Sequence, residues 1–587
     1  MSKRIPDGID NFHKLIAENC LFVDKSLFVK DIIENDSDII LITRPRRWGK
    51  TLNMSMLHHF LSPEVNMHQT ESLFDNLLIT KEFPEFVAHH QGKYPAIFVT
   101  FKGVKGNSFE NAIAQIRETI KALYLEYFYL TESSELNKYE KCELDKYLTG
   151  NVDQAELENS LLVLSKLLKK HHGENAYILI DEYDTPMNFA YGNYLDSLTV
   201  FMKTLLGNAL KGNTYLQKGI MTGILYISKN NLLSDLNNLK EYTLLTDKTY
   251  QASFGFTEAE VDALFIETKL VKNSAAIKAW YNGYQIEETV LYNPFSIIRC
   301  LSNKGEIGPY WVNTASDKLL KTALLNASLE VKKEFEQLLV SENMSLISPV
   351  IVTDRVRYDD LSSSNNMALC SLLLASGYLK YMQKAPSGIY YDCLLAIPNQ
   401  EVRTIYDSIF REWLKECLQE TYYHPFLKAL TEGNAQGLAQ RLSDYLMACT
   451  SFFDFKNESN YHTFMLGLIC SLKDTHYFYS NPEAGRGRAD IMLVPKNTTK
   501  NLGIILEFKY TKADEDQTEL AKKALAQIDI KSYDAFLKQY TYIDQVLKVG
   551  IAFLDKSVVI YDRLDDLHNH PLTEMESCSW SIDEAIE

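Results

Sequence analysis

The chain has 587 residues, 46 % hydrophobic and 23 % charged, with a net charge of −17 and a pI near 5.4. That length suggests several domains, and the charge argues against a protein that coats nucleic acid nonspecifically, while leaving room for a local basic groove. No apolar run approaches the roughly 18 residues of a membrane span, Met1 to Asp7 lack the apolar core of a secretory leader, and nine cysteines without a Cys-x-x-Cys pair indicate neither zinc module nor disulfide framework, so a cytoplasmic protein with no membrane partner is expected.

Asn11 to Glu34 reads as two short helices around Phe22-Val23-Asp24-Lys25, and its position ahead of the first strand suggests that it borders a nucleotide base. Ile39 to Ile42 is an apolar run of the kind that forms a buried parallel strand. A turn follows, closed by Gly49-Lys50-Thr51, and then a helical pattern with Leu52, Met56, Leu57 and Phe60 on one face. Strand, turn and helix in that order form a phosphate-binding loop. Backbone N–H groups at the helix start wrap an anion, Lys50 is placed to reach the β- and γ-phosphates, and Thr51 to bind Mg²⁺. Arg44 stands where this motif usually has its first glycine, so a basic loop that binds no nucleotide is the alternative reading.

Tyr94 to Phe101 is a further strand, and Phe109 to Glu174 is mostly helical, with Leu161, Leu164, Leu167 and Leu168 as a core stripe. Ala176 to Ile180 is another apolar strand that runs into Asp181-Glu182. Carboxylates at the end of a buried strand are costly unless a cation or a substrate water uses them. Asp181 is expected to hold Mg²⁺ and Glu182 to orient or deprotonate the attacking water; the alternative is two solvated acids. Gly219 to Ile224 is a fourth strand, and Thr222 near its end is a candidate contact for that water or, at least as readily, a hydroxyl that ties off the strand end. Thr257-Glu258-Ala259-Glu260 has the spacing of a capping box and opens a helical lid. Trp280 to Tyr284 reads as an aromatic turn, helices and short strands continue to about Lys384, Leu361 to Asn366 reads as a loop, and Arg403 to Leu418 as a connecting helix.

Near the C-terminus, Asp490 to Pro495 and Leu502 to Tyr510 form an antiparallel hairpin. If its turn centres between Thr498 and Thr499, Asp490 faces Glu507, with Cβ atoms roughly 5 Å apart. Like charges so placed repel unless a divalent cation bridges them. Lys509 points to the same face and supplies a positive group for hydroxide or phosphate. Helices from Tyr461 to Leu472 and from Gln517 to Tyr533 flank the hairpin, and a strand from Val546 to Phe553 follows. Gln527 is a candidate to orient the water or a ligand carboxylate, Glu483 an additional metal or water ligand, and Arg488 a phosphate contact, with a purely structural role for Glu483 and Arg488 the equal alternative.

Arg44-Pro45-Arg46-Arg47-Trp48-Gly49-Lys50-Thr51, with Asp181-Glu182-Tyr183-Asp184-Thr185-Pro186, resembles the AAA-ATPase-like family of bacterial and related proteins, whose members carry a PD-(D/E)XK nuclease-like domain at the C-terminus. Phe22 to Ser26, Thr222-Gly223, Asn237-Asn238-Leu239, Phe254 to Thr257, Trp280 to Tyr284 and Tyr292-Asn293-Pro294 extend the resemblance along nearly the whole chain. It makes Arg44 a family trait. It implies an α/β protein: a P-loop NTPase parallel sheet with helical lid over 1–256 and 257–400, a helical linker over 401–450, and an α/β nuclease-like domain over 451–587. It implies ATP held by Arg46, Arg47, Trp48, Gly49, Lys50, Thr51, Asp181 and Thr222, with Glu182 catalytic, and Mg²⁺ or Mn²⁺ held by Thr51 and Asp181. In the second domain it implies Mg²⁺ or Mn²⁺ on Asp490, Glu507 and Glu483, with Lys509 and Gln527 completing the catalytic set. DNA or RNA is the implied partner, and a homo-oligomer is compatible with it. Tyr226 stands where the family has an arginine after Thr222-Gly223, which bears on ATP turnover more than on binding. The expected function is an ATP-regulated, Mg²⁺-dependent nuclease. The rival is a nucleotide-gated binding or scaffold protein with an inactive nuclease fold.

Overall fold

The computed structural model describes residues 3–227, 238–270, 273–311, 349–356, 366–406, 420–448, 458–511, 515–554, 557–567 and 578–580, together with 233, 236 and 338. They form two compact units, Met1–Ile405 and Tyr406–Glu587. Asn237, the Leu361–Asn365 loop and 407–418 of the expected connecting helix lie outside the described residues.

The first unit is built on five parallel strands: β1 (Ile39–Thr43), β2 (Ala96–Thr100), β3 (Ala176–Asp181), β4 (Leu216–Gly223) and β5 (Leu239–Tyr242). Their order is β2-β3-β4-β1-β5. All of β1 and β3 is buried, as expected for strands covered on both faces. Helices α1 (Phe12–Ala17) and α2 (Leu27–Ile33) precede β1, and α3 (Lys50–Leu61) leaves it. The buried ammonium of Lys218 on β4 donates to the carbonyls of Ile32 (2.9 Å) and Ile33 (3.2 Å), so the open end of α2 is capped by the sheet beneath it.

The strand ends bring two hydroxyl residues to either side of Asp181. Thr100 pairs with Asp181 across β2 and β3, and the β3–β4 register sets Thr222 on the other side of Asp181. The lid region contains α4 (Glu258–Thr268), α5 (Ser274–Tyr281) and α6 (Pro294–Ser302), which share a core of Val261, Leu264, Ile277, Tyr292, Ile297 and Leu301. The Thr257–Glu260 capping box is formed in both directions. The short strands expected in the lid region are present and reach beyond Lys384: Val350–Val352, Lys380–Ser387 and Tyr390–Ala396 make an antiparallel sheet there.

The second unit is a six-stranded sheet of β6 (His476–Ser480), β7 (Ile491–Pro495), β8 (Leu502–Tyr510), β9 (Gln545–Leu554), β10 (Ser557–Asp566) and β11 (Cys578–Trp580), in that order. Only β8 and β9 run parallel. One face packs on helices Glu420–Thr431, Ala435–Ala448 and Glu458–Ile469 through Phe426, Leu442, Tyr461, Ile491, Leu506 and Phe508. The other face packs on α7 (Gln517–Ile530). The expected linker over 401–450 is therefore corrected: its described helices join the core on one face of this unit's sheet, where their buried apolar faces are covered. The edge strand β6 and the strand β10 were not anticipated.

A buried lysine fixes the end of α7. Lys548 on β9 lies within 2.8 Å of Asp529, 2.9 Å of Asp565 and 3.3 Å of Asp534, and Arg563 bridges Asp529 and Asp565 at 2.7 Å. Replacing Lys548 by Met leaves three partly buried carboxylates facing one another with a single remaining cation. Urea unfolding of that variant is expected to show a loss of about 2 kcal/mol relative to the parent protein.

Candidate functional site

The turn after β1 places its demanding backbone angles on Arg47 (φ 61°) and on Gly49, the cap of α3 (φ 80°), not on Arg44. Arg44 needs no glycine-like freedom and is used otherwise. Its guanidinium is buried, ion-paired with the equally buried Asp247, and donates to the carbonyls of Thr43 (2.7 Å), Tyr242 (3.2 Å) and Tyr250 (3.4 Å). Asp247 in turn accepts from the amides of Thr249 and Tyr250. The loop is thus tied to the chain that leaves β5.

The Lys50 ammonium donates to the carbonyls of Arg44 (3.0 Å) and Pro45 (2.9 Å). Burial lowers its pKa, while Glu182 and Asp181 act in the opposite sense. Thr51 Oγ1 donates to Asp181 Oδ2 at 2.7 Å. Thr100 donates to the same oxygen at 3.2 Å, and Thr222 to Oδ1 at 2.7 Å. Asp181 is fully buried, and that desolvation, with the neighbouring Glu182, raises its pKa. Glu182 sits at φ 51° and accepts a 2.8 Å bond from Thr185. A left-handed non-glycine residue costs of the order of 1–3 kcal/mol, and such strain concentrates at functional positions.

Arg46, Arg47, Trp48, Gly49, Lys50, Thr51 and Glu182 line one cavity of about 700 Å³. Asp181 and Thr222 lie behind its wall and communicate with it through the Thr51 hydroxyl. The expectation that Thr222 meets an attacking water is replaced by a bond to Asp181. Trp48 is almost wholly buried, edge-on to Tyr284 at 5.1 Å, so its ring seats the loop rather than offering a stacking face. Arg47 lies 3.8 Å above the ring of Phe295. Sequence reading missed Lys102, Lys105, Phe295 and Arg299, which line the same cavity; none sits in a recognisable motif. Lys25 also lines it and pairs with Glu260 at 2.6 Å, tying the first segment to α4.

In the second unit, β7 and β8 pair Ile491 with Leu506 and Met492 with Ile505, the register that sets Asp490 opposite Glu507. Asp490 Oδ2 accepts from the Phe508 amide at 2.7 Å, and the Asp490 amide donates to Glu507 at 3.4 Å. Lys509 Nζ donates to Glu507 at 3.4 Å and to the Phe508 carbonyl at 2.9 Å. Gln527 on α7 donates to Glu507 and, at 3.2 Å, to Tyr533. Asp490, Glu507, Lys509 and Gln527 are therefore brought together. Burial first, and the Asp490 charge second, push the Glu507 pKa up to about 7; its side chain is 3 % exposed. Two facing carboxylates with one lysine form an oxygen-rich site suited to a hard divalent cation. His462, unflagged by the sequence, bonds the Asp490 carbonyl at 3.1 Å through a ring nitrogen.

Glu483 does not join them. Its side chain is 82 % exposed and pairs with Arg488 at 3.0 Å across a two-residue hairpin, and among the described residues no group of three or more His, Cys, Asp and Glu side chains has metal-binding geometry. The reason is the hairpin itself. Gly485, at φ 52°, presses against the end of α7, where a Cβ would meet the Lys531 carbonyl at 2.1 Å, and this leaves Glu483 exposed on the neighbouring strand. The expected role of Glu483 as a metal ligand is corrected accordingly, and Arg488 stands exposed as its partner.

Residues 6–233 match the family model of a predicted AAA-ATPase, and residues 456–563 match that of the PD-(D/E)XK nuclease superfamily. An uncharacterized protein in the vnfD 5′ region of Azotobacter chroococcum mcd 1 is 25 % identical over 421 residues, which cover 70 % of this chain and 71 % of that protein. The Walker-type ATPase PABY2304 of Pyrococcus abyssi, 14 % identical, aligns with a TM-score of 0.32 over 69 % of this chain and 98 % of its own. No helix among the described residues is long and apolar enough to cross a membrane.

Two outcomes follow. Arg44→Gly, which restores the common glycine, is expected to destabilise the protein by about 3–5 kcal/mol in thermal or urea unfolding, because it strands Asp247 as a buried charge. For Glu507, the folded state keeps its proton until about pH 7, whereas the unfolded chain releases it near 4.5. Metal-free protein thus loses stability as pH rises through that window. Glu507→Gln carries no such penalty, so its stability advantage over the parent is expected to grow between pH 5 and pH 8 in melting curves taken with EDTA.

Proposed function

From a chain that carries an AAA-ATPase-like domain followed by a PD-(D/E)XK nuclease superfamily domain, we propose a cytoplasmic, ATP-regulated, Mg²⁺-dependent nuclease. The observation that carries the reading is the convergence of Asp490, Glu507, Lys509 and Gln527 on one sheet face. Asp490 and Glu507 are the residues that would hold the metal, which supplies charge neutralisation and a more acidic water. Gln527 holds the Glu507 carboxylate in orientation, and Lys509 faces the charge that builds on phosphorus-bound oxygen as water attacks and the P–O bond breaks.

In the first unit, Lys50, Thr51 and the α3 N-terminus are placed for the β- and γ-phosphates, with Arg46 and Arg47 beside them. Glu182, on the cavity wall, is the group positioned for a hydrolytic water, and Asp181 orients Thr51. ATP acts here as a regulator of the nuclease. Turnover is the weaker half of the assignment, since Tyr226 replaces the arginine expected after Thr222-Gly223.

Purified protein is incubated with linear, circular and single-stranded DNA and with RNA, with Mg²⁺ or Mn²⁺, with and without ATP. Metal-dependent cleavage is expected, abolished by Glu507→Ala and slowed about 10–100-fold by Gln527→Ala, which disturbs only the outer support. Lys50→Ala is expected to remove the response to ATP while leaving metal binding intact. Nucleotide binding with no cleavage of any substrate would instead establish the scaffold reading.

A further inference from the structure

The sheet face that carries the carboxylate pair continues past it onto the edge strand. Tyr479 lies opposite Met492 and Tyr477 opposite Val494. Met492 and Val494 are two and four residues beyond Asp490, so alternation sets all three on one face. Tyr479, Phe536, Tyr540 and Tyr542 pack on that same face. The rings form a connected set. Tyr477 stacks beside Tyr540 (centroids 6.3 Å, planes 25° apart), Tyr540 meets Tyr542 edge-on at 6.0 Å, and Tyr479 meets Phe536 edge-on at 4.9 Å. Hydroxyls of Tyr479 and Tyr540 bond each other, and that of Tyr542 donates to the Pro495 carbonyl at 2.8 Å. The inner rings are thereby locked.

The outermost ring is only partly covered. Tyr477 is 46 % exposed, on a strand whose other members are otherwise half-buried or buried. Lys496 Nζ lies over its ring, 5.3 Å from the centroid, and donates to the Lys473 carbonyl at 2.7 Å. A half-exposed ring on a locked aromatic base, with a lysine ammonium on a flexible stem above it, offers a nucleobase a stacking face once that stem swings aside and the adjacent phosphate a positive charge. The distance to Asp490 is four residues of extended strand, roughly 13 Å, so a strand lying on Tyr477 has its backbone within reach of the carboxylate pair.

We propose that Tyr477, backed by Tyr540 and with Lys496 beside it, is a base-stacking platform that makes single-stranded nucleic acid, or a single-stranded end, the preferred substrate. A base in a duplex is already stacked on its neighbours and cannot lie on a side chain without leaving them. The proposal deepens the nuclease reading, but binding and cleavage are read separately.

The test uses the full chain in EDTA and fluorescence anisotropy of labelled oligothymidine, oligouridine, a duplex of equal charge, and an abasic strand of equal charge. Both single strands are expected to bind more tightly than the duplex. Tyr477→Ala is expected to weaken them about 5- to 100-fold, with Tyr477→Trp restoring the loss. The parent protein is expected to hold the abasic strand about 5- to 100-fold more weakly than the normal one, a comparison within the parent that does not depend on how the variant folds. Equal affinity of the parent for normal and abasic strands, or of duplex and single strand, overturns the proposal. If single strands bind through Tyr477 but are not cut with Mg²⁺, the platform stands and the nuclease reading fails. If parent and Tyr477→Ala cut and bind single strands equally well, the nuclease reading stands and the platform fails.

Discussion

Both units hold a carboxylate where water cannot reach it. Asp181 and Glu507 are the two buried acids around which the candidate sites form, and burial raises the pKa of each. A buried carboxylate left alone costs several kcal/mol, so each must be compensated. Asp181 is met by hydroxyls: Thr51, Thr100 and Thr222 donate to its two oxygens. These bonds satisfy the acid without cancelling its charge, which leaves it available to steer Thr51. Glu507 is met by Lys509 and Gln527, but its nearest acid, Asp490, works against them. The protein resolves that opposition only in part, and a divalent cation is the chemistry that would complete it.

The nucleotide loop shows a division of labour between two buried cations six positions apart. Arg44 is committed inward, to Asp247 and to three carbonyls. Lys50 bonds only to carbonyls of its own loop, a neutral set that a phosphate can outcompete. The planar guanidinium suits the first task because it donates in several directions at once; the ammonium suits the second because it is a compact charge on a flexible stem. Arg44 thus shapes the loop that Lys50 serves, and the loss of the usual glycine carries no backbone penalty, because the left-handed angles fall on Arg47 and Gly49.

The second site is held from beneath by packing. Gln527 reaches Glu507 only because α7 lies across the sheet, and the Lys548 network fixes the end of α7 two residues beyond Gln527. Gly485 lets the Glu483–Arg488 hairpin close against the same helix end. Charges that take no part in the proposed chemistry therefore set where one of its side chains points.

Strands β1 to β4 and β7 to β9, the capping box, the P-loop and the facing of Asp490 and Glu507 were legible in the sequence by itself, because each depends on neighbours within a few residues or on one short turn: periodicity sets burial, and a hairpin turn sets register. Other features needed the tertiary structure. The partner of Arg44 lies more than 200 positions away, the lysines and Arg299 of the cavity come from separate segments, and Glu483 is turned outward by a contact with a helix some 45 residues later. The helices within 401–450 read as a linker because their apolar faces say only that something covers them; that it is the second sheet was decided by packing over long sequence separations, which a local pattern does not encode.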